Sequence, residues 1–237
     1  MSVTARVRPM VTLHTSVLAS LGTRIVEGEL AAETVITLDW LSQEFGVSRT
    51  IAREVVQVLT SLGLVESRRR TGIRVLGREA WDQLDPLVLR WRLAGRQRSE
   101  MLAQLSQLRA AIEPRAAALA ATRADEAQRA RVVELAALLE DTGGRGDLHT
   151  FLEHDVEFHR LLLVASGNDL FAGLGDVVEE VLRGRTEHDL MPVQPKPEAR
   201  QLHEMVAQAV AAGQPELAEA AMTAICAEVL TAMEPPG

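Results

Sequence analysis

The sequence predicts a mainly α-helical protein, with an N-terminal winged helix-turn-helix followed by an all-α antiparallel helical bundle. Three observations support this fold class. Residues 1–78 follow the order helix, helix, turn, helix and hairpin, and from residue 99 onward apolar side chains recur at helical spacing with short breaks. Aromatic residues make up only 3% of the chain, and Ala and Leu dominate its second half, which favours helices over sheets.

A chain of 237 residues is long enough for two modest domains. We predict a winged helix-turn-helix domain over 1–78, a linker over 79–98 and a helical domain over 99–237. Residues 1–78 carry ten arginines against seven acidic residues, whereas the remainder carries fifteen basic against twenty-six acidic residues. A basic N-terminal region followed by an acidic remainder is typical of a nucleic-acid-binding domain joined to a domain with another function.

The location of the protein is predicted from its cysteine count and its apolar runs. Cys226 is the single cysteine, which excludes an internal disulfide framework and fits a reducing compartment. The N-terminus lacks a signal pattern, and charges interrupt every apolar run before the roughly eighteen residues that a membrane span needs. We therefore expect a cytoplasmic protein without a membrane span.

Periodicity and capping residues define the elements of the first domain. Thr37 and Ser48 are suitable N-caps, and Gly28, Gly46 and Gly63 are suitable helix ends. In chain order, the predicted elements are a helix over 11–28, an extended segment over 34–36, helices over 38–45 and 49–62, and strands over 64–67 and 73–76.

The helix that begins after Ser48 has the features of a recognition helix. Gly46 permits a sharp bend, so the N-terminal end of the next helix faces outward, and this is the end that enters a major groove. Arg49, Thr50 and Arg53 lie there. A guanidinium binds guanine or a phosphate, and Thr50 can reach either. The alternative interpretation is an ordinary solvated helix face.

A basic turn joins the two predicted strands. Gly72 lets the backbone approach a minor groove, and Arg68, Arg69, Arg70 and Arg74 supply positive charge for phosphates. The alternative is an ordinary charged hairpin, but the order of turn, capped helix and basic hairpin favours binding to double-stranded DNA. The predicted DNA contacts are Thr37, Ser48, Arg49, Thr50, Arg53, Arg68, Arg70 and Gly72.

The second domain is predicted to be helical almost throughout. Its Ala/Leu faces and short turns predict an antiparallel bundle, since each helix must bury its apolar face on another. The predicted helices cover 99–122, 126–140, 147–166, 169–190, 197–212 and 215–232, with breaks at Gly143-Gly144, Gly146, 166–168, 192–197 and 213–215.

Asp155 and His159 are separated by four residues on one predicted helix, and His203 lies near the start of a later one. The spacing puts a carboxylate and an imidazole on one face, where both can bind one divalent cation. The alternative is a solvated or capped Asp/His pair with no metal.

Both halves of the chain resemble a known family. Residues 13–91 resemble the DNA-binding half of the FadR-type subfamily of GntR regulators, through "LSQEFGVSRTIAREVVQVLTSLGLVESRRRTGIRV" and through "WDQLDPLVLRW", which is similar to regulators of sugar-acid catabolism. Residues 105–233 resemble its FCD effector domain, through "LRAAIEPRAAALAA", "HDVEFHRLLLVASGN" and "LHEMVAQAVAAGQPELAEAAM". The resemblance implies a winged helix-turn-helix, a homodimer and a pseudo-palindromic operator. One departure is 35–38, Val-Ile-Thr-Leu, where the family usually shows Leu-Pro-Ser/Thr-Glu.

The resemblance also implies a metal and an effector site. FCD domains commonly hold a metal with an Asp-x-x-x-His pair and two later histidines. By the resemblance, the pair is Asp155 and His159 and the first later histidine is His203, while Ile225 stands at the position of the second. A divalent metal (Zn, Ni or Mn) or an organic anion held directly would both fit. By the same resemblance Arg109 faces the effector cavity.

A small anionic metabolite is the predicted effector, because a buried Arg needs a carboxylate partner. That partner is either the effector or Glu113, four residues further on. Asn168 is either a helix cap or a ligand contact, and Arg183 points either inward or toward solvent. The predicted effector contacts are Arg109, Asp155, His159, Asn168, Arg183 and His203.

Two functions from different classes fit these features. The first is a ligand-responsive DNA-binding regulator, expected to be a repressor and not an enzyme. The second is a metal-dependent helical-bundle enzyme with an accessory nucleic-acid-binding domain, using Asp155, His159 and His203 as ligands. The sequence shows no nucleophile motif and no phosphate-binding loop, which favours the regulator.

Overall fold

The computed structural model describes residues 10–68, 71–187 and 197–232. The chain divides into two compact units, one ending at Gln97 and the other beginning at Arg98. None of the helices in the described ranges combines the length and the apolar character needed to cross a bilayer.

The first unit is a winged helix-turn-helix, as the sequence predicts. Its elements are α1 (Met10–Val26), β1 (Val35–Ile36), α2 (Leu38–Phe45), α3 (Arg49–Ser61), β2 (Val65–Arg68), β3 (Gly72–Val75), a 3₁₀ turn (Arg78–Ala80) and α4 (Pro86–Ala94). Its core joins all of these helices to the sheet through fully buried side chains, among them Leu21, Leu41, Val55, Leu59 and Leu64.

The turn between α2 and α3 forms as its capping residues dictate. The Thr37 side chain accepts a hydrogen bond from the Trp40 amide at 3.1 Å, and the Ser48 side chain accepts one from the Ile51 amide at 3.3 Å. Gly46 ends α2 with a φ of 62°, in the left-handed region that glycine adopts without a Cβ clash. The predicted caps and turn are confirmed.

The wing is a three-stranded antiparallel sheet in the order β1-β3-β2. Val65 pairs with Val75 and Arg68 with Gly72, while Ile36 of β1 pairs with Ile73. The short segment before α2 is thereby hydrogen-bonded to the strand that returns from the wing tip, which ties the wing to the start of the helix-turn-helix.

The segment 79–98, which the sequence predicts as a linker, contains α4. The Asp85 side chain caps this helix by accepting a hydrogen bond from the Leu87 amide at 2.8 Å. Val88 and Trp91 are buried in the core of the first unit. Gly22 of α1 makes room for the Trp91 ring, since a Cβ there would lie 2.5 Å from it.

The second unit is the predicted helical bundle. Its helices are α5 (Arg98–Arg123), α6 (Glu126–Arg145), α7 (Leu148–Ala165), α8 (Asp169–Ala172), α9 (Gly175–Glu187), α10 (Pro197–Ala211) and α11 (Pro215–Ala232). The pairs α6/α7 and α10/α11 pack together and are joined by short turns, so each pair is antiparallel. Pro114 lies inside α5, the longest of these helices.

Two sequence predictions in this unit are wrong. The helix does not break at Gly143-Gly144: α6 continues to Arg145 and ends at Gly146, which has a φ of 73°. Gly143 is buried, and a Cβ there would lie 2.6 Å from Arg200, so it serves close packing. The predicted helix over 169–190 is instead α8 and α9, separated at residues 173–174, and its last residues lie outside the described part of the chain.

Candidate DNA-binding surface and buried charge cluster

The N-terminal end of α3 presents polar side chains to solvent. Ser48, Arg49, Thr50 and Arg53 are exposed, while the opposite face of the helix is buried in the core. The amphipathic pattern explains this arrangement, because apolar residues at helical spacing orient the helix with its basic face outward. The structure therefore brings the four predicted contacts on this helix to one surface.

Arg49 is not free on that surface. Its Nε donates a hydrogen bond to Asp39 Oδ1 of α2 at 2.7 Å, and its Nη2 contacts the same oxygen. The side-chain hydrogen bond with Asp39 raises the pKa of Arg49 above its ordinary value. The sequence analysis missed Asp39, since the two residues lie ten positions apart on different helices.

A groove of about 640 Å³ lies beside α3 in the first unit. Its apolar lining includes Leu38 and Ile73, and Arg53, Gln57 and Ser67 contribute polar groups. Gln57 lies two turns after Arg49 on the exposed face. That spacing is the signal from which the sequence could have added it to the candidate surface.

The wing residues differ in their availability. Arg68 remains half exposed and forms an ion pair with Glu66 at 2.5 Å. Arg74 contacts both Glu33 and Glu66, so its charge is already matched by two carboxylates. Arg69 and Arg70 lie outside the described residues.

Gly72 and Thr37 have structural tasks in the first unit. Gly72 has a φ of 114°, and a Cβ there would lie 2.8 Å from the Ile36 carbonyl oxygen, so the strand pairing itself requires glycine. Thr37 caps α2 with its hydroxyl and remains exposed.

The second unit contains a buried group of metal-ligating side chains. Asp155 and His159 of α7 and His203 of α10 are 6%, 1% and 5% exposed, and their ligand atoms lie within 4.8 Å of one another. The i, i+4 spacing puts Asp155 and His159 on one face of α7, as predicted. Packing of Phe158 against both imidazole rings helps to hold their orientation.

The Nδ1 atoms of both imidazoles face oxygen acceptors. His203 Nδ1 lies 2.7 Å from the Ala199 carbonyl oxygen and therefore donates. His159 Nδ1 lies 2.8 Å from Glu113 Oε2, off the axis of a straight hydrogen bond, so this contact is mainly one of charge. The hydrogen bond from His203 Nδ1 leaves Nε2 as the metal-binding atom of that ring, and in His159 the nitrogen that faces Asp155 is likewise Nε2.

The two Nε2 atoms converge on one carboxylate. Asp155 Oδ1 lies 3.1 Å from His203 Nε2 and 3.4 Å from His159 Nε2. A hydrogen on an imidazole Nε2 makes such a contact a hydrogen bond to Asp155, and a metal ion between the three atoms would make all of them ligands. Two imidazole nitrogens and one carboxylate are a donor set that Zn²⁺, Ni²⁺ or Mn²⁺ accepts, with room for further ligands.

Arg109 and Glu113 of α5 form a buried ion pair beside this group. The Arg109 Nε and Nη2 atoms lie 2.5 and 3.1 Å from the two carboxylate oxygens, and each residue is 2% exposed. Arg109 Nη2 also lies 3.3 Å from His159 Nε2, whereas Nη1 has no hydrogen-bond partner among the described residues. The sequence allowed either Glu113 or an effector as the carboxylate partner of Arg109, and the structure shows Glu113 in that role. Nη1 remains as a donor for a ligand.

Burial and charge act in opposite directions on the pKa values of this cluster. Burial raises the pKa of Glu113, but the charges of Arg109 and His159 outweigh it and lower the value to about 2. Burial likewise opposes ionisation of Asp155, whose pKa is held well below its ordinary value by hydrogen bonds with His159 and His203. The pKa of His159 is raised, because the Glu113 charge outweighs the effect of burial. Both carboxyl groups are therefore ionised at neutral pH.

The last helix contributes no imidazole to the site. Ile225 is buried in the bundle core, and the neighbouring Cys226 Sγ donates toward Glu113 Oε2 at 3.9 Å. Cys226 and His159 therefore contact the same carboxylate oxygen, Glu113 Oε2. The sequence analysis missed the contact between Cys226 and Glu113, since the two residues are 113 positions apart.

Asn168 and Arg183 are placed elsewhere in the bundle. The Asn168 side chain caps α8 by accepting a hydrogen bond from the Leu170 amide at 3.0 Å. Arg183 binds Glu179 and Glu153 at 2.7 and 2.9 Å on a partly exposed surface. The structure does not bring either residue to the Asp155–His159–His203 group.

Comparison with known proteins identifies both units. The family described as "Bacterial regulatory proteins, gntR family" matches residues 13–75, and the FCD domain matches residues 104–228. The chain is 30% identical over 176 residues to the galactonate operon transcriptional repressor of Escherichia coli (strain K12), covering 74% of this chain and 76% of that protein. It is 30% identical over 206 residues to the transcriptional regulator LutR of Bacillus subtilis (strain 168), covering 84% and 91%.

Solved structures share the same fold. Lar, which controls the expression of the Listeria monocytogenes agr system, superposes with a TM-score of 0.61 at 19% identity, covering 97% of this chain and 98% of that one. Streptococcus agalactiae GntR superposes with a TM-score of 0.52 at 23% identity, covering 92% and 99%. The matched families and curated relatives are transcription regulators, which decides against the metal-dependent enzyme. The chain therefore belongs to the GntR family of bacterial transcription regulators and carries an FCD domain behind its winged helix-turn-helix.

Proposed function

We propose that this regulator is a repressor whose homodimer binds a pseudo-palindromic operator and releases it when a small sugar acid or related carboxylate enters the bundle. The observation that carries the proposal is the exposed N-terminal end of α3, with Arg49, Thr50 and Arg53, in a member of a DNA-binding family. The name of the galactonate operon repressor, a relative at 30% identity, supports both the repressor role and the sugar-acid class.

The contacts to DNA follow from the side chains at the surface. The N-terminal turn of α3 enters the major groove, where Arg49 reads a guanine edge and Ser48, Thr50 and Arg53 bind bases or phosphates. The wing lies along the adjacent minor groove, with Arg68 near phosphates and the backbone at Gly72 approaching the sugar edge, and Arg70 is proposed as a phosphate contact by its charge alone. Thr37 adds a phosphate contact beside the start of α2.

The effector site is best explained by the charge of the buried cluster. Glu113 and Asp155 are both ionised beside the single guanidinium of Arg109, so the two carboxylates exceed it by one negative charge, before any charge on the imidazoles is counted. A divalent ion held by Asp155, His159 and His203 would reverse that sign and supply a Lewis acid for a carboxylate oxygen. Arg109 Nη1 is the protein donor for the same carboxylate.

A selection from genomic DNA tests the proposal. Fragments of the source genome that bind the purified protein are sequenced and compared with flow-through, and the enriched duplex is titrated with and without D-galactonate and Zn²⁺. We expect a two-fold-related motif, a dimer in native mass spectrometry, and weaker DNA binding when acid and metal are both present. Fragments without a shared motif would refute the proposed operator, and binding that is unchanged by D-galactonate, with or without Zn²⁺, would contradict the proposed effector class.

Operator binding is expected to weaken steeply with salt. Arg49, Arg53 and Arg68 on each subunit supply several phosphate or base contacts, and each neutralised phosphate contributes about −0.9 to the slope of log K against log salt. A titration by fluorescence anisotropy over a range of KCl concentrations measures this slope. A slope near zero would contradict the electrostatic part of the interface.

Replacing His159 with Ala is expected to abolish metal binding and leave DNA binding intact. The substitution removes one of three converging donors, and even the loss of an outer-shell partner typically weakens metal affinity by about 10- to 100-fold. Zn²⁺ or Ni²⁺ should then raise the unfolding midpoint of the wild type but not that of the variant, because a ligand stabilises the state that binds it. His149→Ala, an exposed histidine on the same helix, is the matched control. Equal stabilisation of all three proteins would place the metal elsewhere.

A further inference from the structure

The ion pair between Asp39 and Arg49 has a property that the proposed DNA contacts do not explain. Asp39 Oδ1 engages the Nε and Nη2 atoms of Arg49, which are one edge of the guanidinium. A guanidinium has five donors, so the edge formed by Nη1 and the other Nη2 hydrogen stays available. The two side chains are 61% and 64% exposed, so that edge remains accessible to DNA.

The pairing also compensates an unfavourable charge. Arg49 is the first residue of α3, and the first turn of this helix contains no acidic residue. The N-terminal end of a helix carries partial positive charge and disfavours a cation there. Asp39, reaching across from α2, supplies the anion that the first turn lacks.

Resting on the proposed function, we propose that Asp39 is a positioning residue that sets base specificity through Arg49. The carboxylate holds the long Arg49 side chain in one rotamer, which presents two parallel donors to the guanine edge and removes ordering that binding would otherwise require. Its negative charge also weakens attraction to phosphates, so sequence-independent binding is suppressed.

The two effects act on different quantities. Ordering of Arg49 strengthens binding only where two acceptors lie side by side, as O6 and N7 do on guanine. Repulsion between Asp39 and the phosphates lowers affinity for every duplex equally and reduces the salt slope. Asp39 therefore raises the ratio of specific to random binding by ordering Arg49, while its charge lowers the affinity for any duplex.

The experiment compares Asp39→Ala with the wild type on the genomic duplex enriched above and on a scrambled duplex of equal length and composition. We expect affinity for the scrambled duplex to rise, the specificity ratio to fall by roughly ten-fold, the scale of one bidentate base contact, and the salt slope to steepen by about 1. A selection from a randomised duplex pool should show lost preference at one position per half-site, the same one that Arg49→Ala affects.

Three further variants separate positioning from charge. Glu44→Ala removes a carboxylate from the same helix, where it pairs with Arg24 and not with Arg49, so it should leave base preference unchanged. In an Arg49→Ala background, adding Asp39→Ala should not alter base preference further. Asp39→Asn keeps the shape of the side chain and should fall between wild type and Asp39→Ala.

Three results would overturn the inference. If Asp39→Ala behaves like Glu44→Ala, or changes base preference in the Arg49→Ala background, Asp39 does not act through Arg49, although the regulator itself stands. If the wild type shows no preference for any duplex, both the proposed function and this inference fail.

Discussion

Replacing Glu113 with Leu should destabilise the bundle by about 3–5 kcal/mol, because it leaves the Arg109 charge buried without its carboxylate. The double variant Arg109→Met/Glu113→Leu should recover most of that loss, since apolar side chains of similar size often replace a buried ion pair without cost. Urea unfolding followed by far-UV circular dichroism measures both variants.

The three tryptophans make this measurement specific. All of them, Trp40, Trp81 and Trp91, lie in the first unit, so their fluorescence follows that unit while circular dichroism follows the whole chain. The fluorescence midpoint of Glu113→Leu should stay at the wild-type value. Glu134→Leu, an exposed position on the bundle, should change the free energy of unfolding by less than about 0.5 kcal/mol. A Glu113→Leu protein as stable as this control would show that Arg109 is neutralised by another group.

Replacing Arg49 with Ala should lower affinity for the enriched operator by roughly ten-fold to a hundred-fold and relax base preference at one position in each half-site. The reason is the loss of two donors at the exposed N-terminal end of α3, where a guanine edge presents two acceptors. Anisotropy titrations with operator and scrambled duplexes, followed by selection from a randomised pool, measure both effects.

Arg145→Ala is the control for this change. It removes one exposed arginine from the bundle, where the side chain pairs with Asp141 at 2.7 Å. Affinity for either duplex should then stay within about two-fold of wild type, because Arg145 lies outside the residues that match the DNA-binding family and its charge is already paired with Asp141. If Arg49→Ala weakens binding to both duplexes equally, Arg49 contacts a phosphate and does not read a base.

Local signals in the sequence were enough to predict most of the fold. Thr37, Gly46 and Ser48 dictate the turn between α2 and α3 through hydrogen bonds and backbone angles that involve only near neighbours. Gly143 was misjudged because its effect depends on packing: glycine ends a helix in isolation, but here it lets Arg200 approach α6. Propensity alone cannot weigh a contact with a residue so distant along the chain.

In the candidate sites too, contacts within one helix could be predicted from the sequence, whereas contacts between helices could not. Asp155 with His159, and Arg109 with Glu113, were predicted because a spacing of four residues on a helix forces proximity. The contacts from Asp39 to Arg49 and from Cys226 to Glu113 join different helices, so they depend on how the helices pack. Asn168 and Arg183 were included by their side-chain chemistry, and the structure gives them a cap and surface ion pairs instead.

Pro114 has a mechanical consequence for the helix that carries the buried ion pair. Proline has no amide hydrogen, so the carbonyl of Ala110 loses the backbone bond that would otherwise close that turn. The turn of α5 that lacks this backbone hydrogen bond is therefore the turn that bears Arg109 and Glu113. Proline inside a helix is an identified cause of bending, so we expect α5 to bend most readily at this turn.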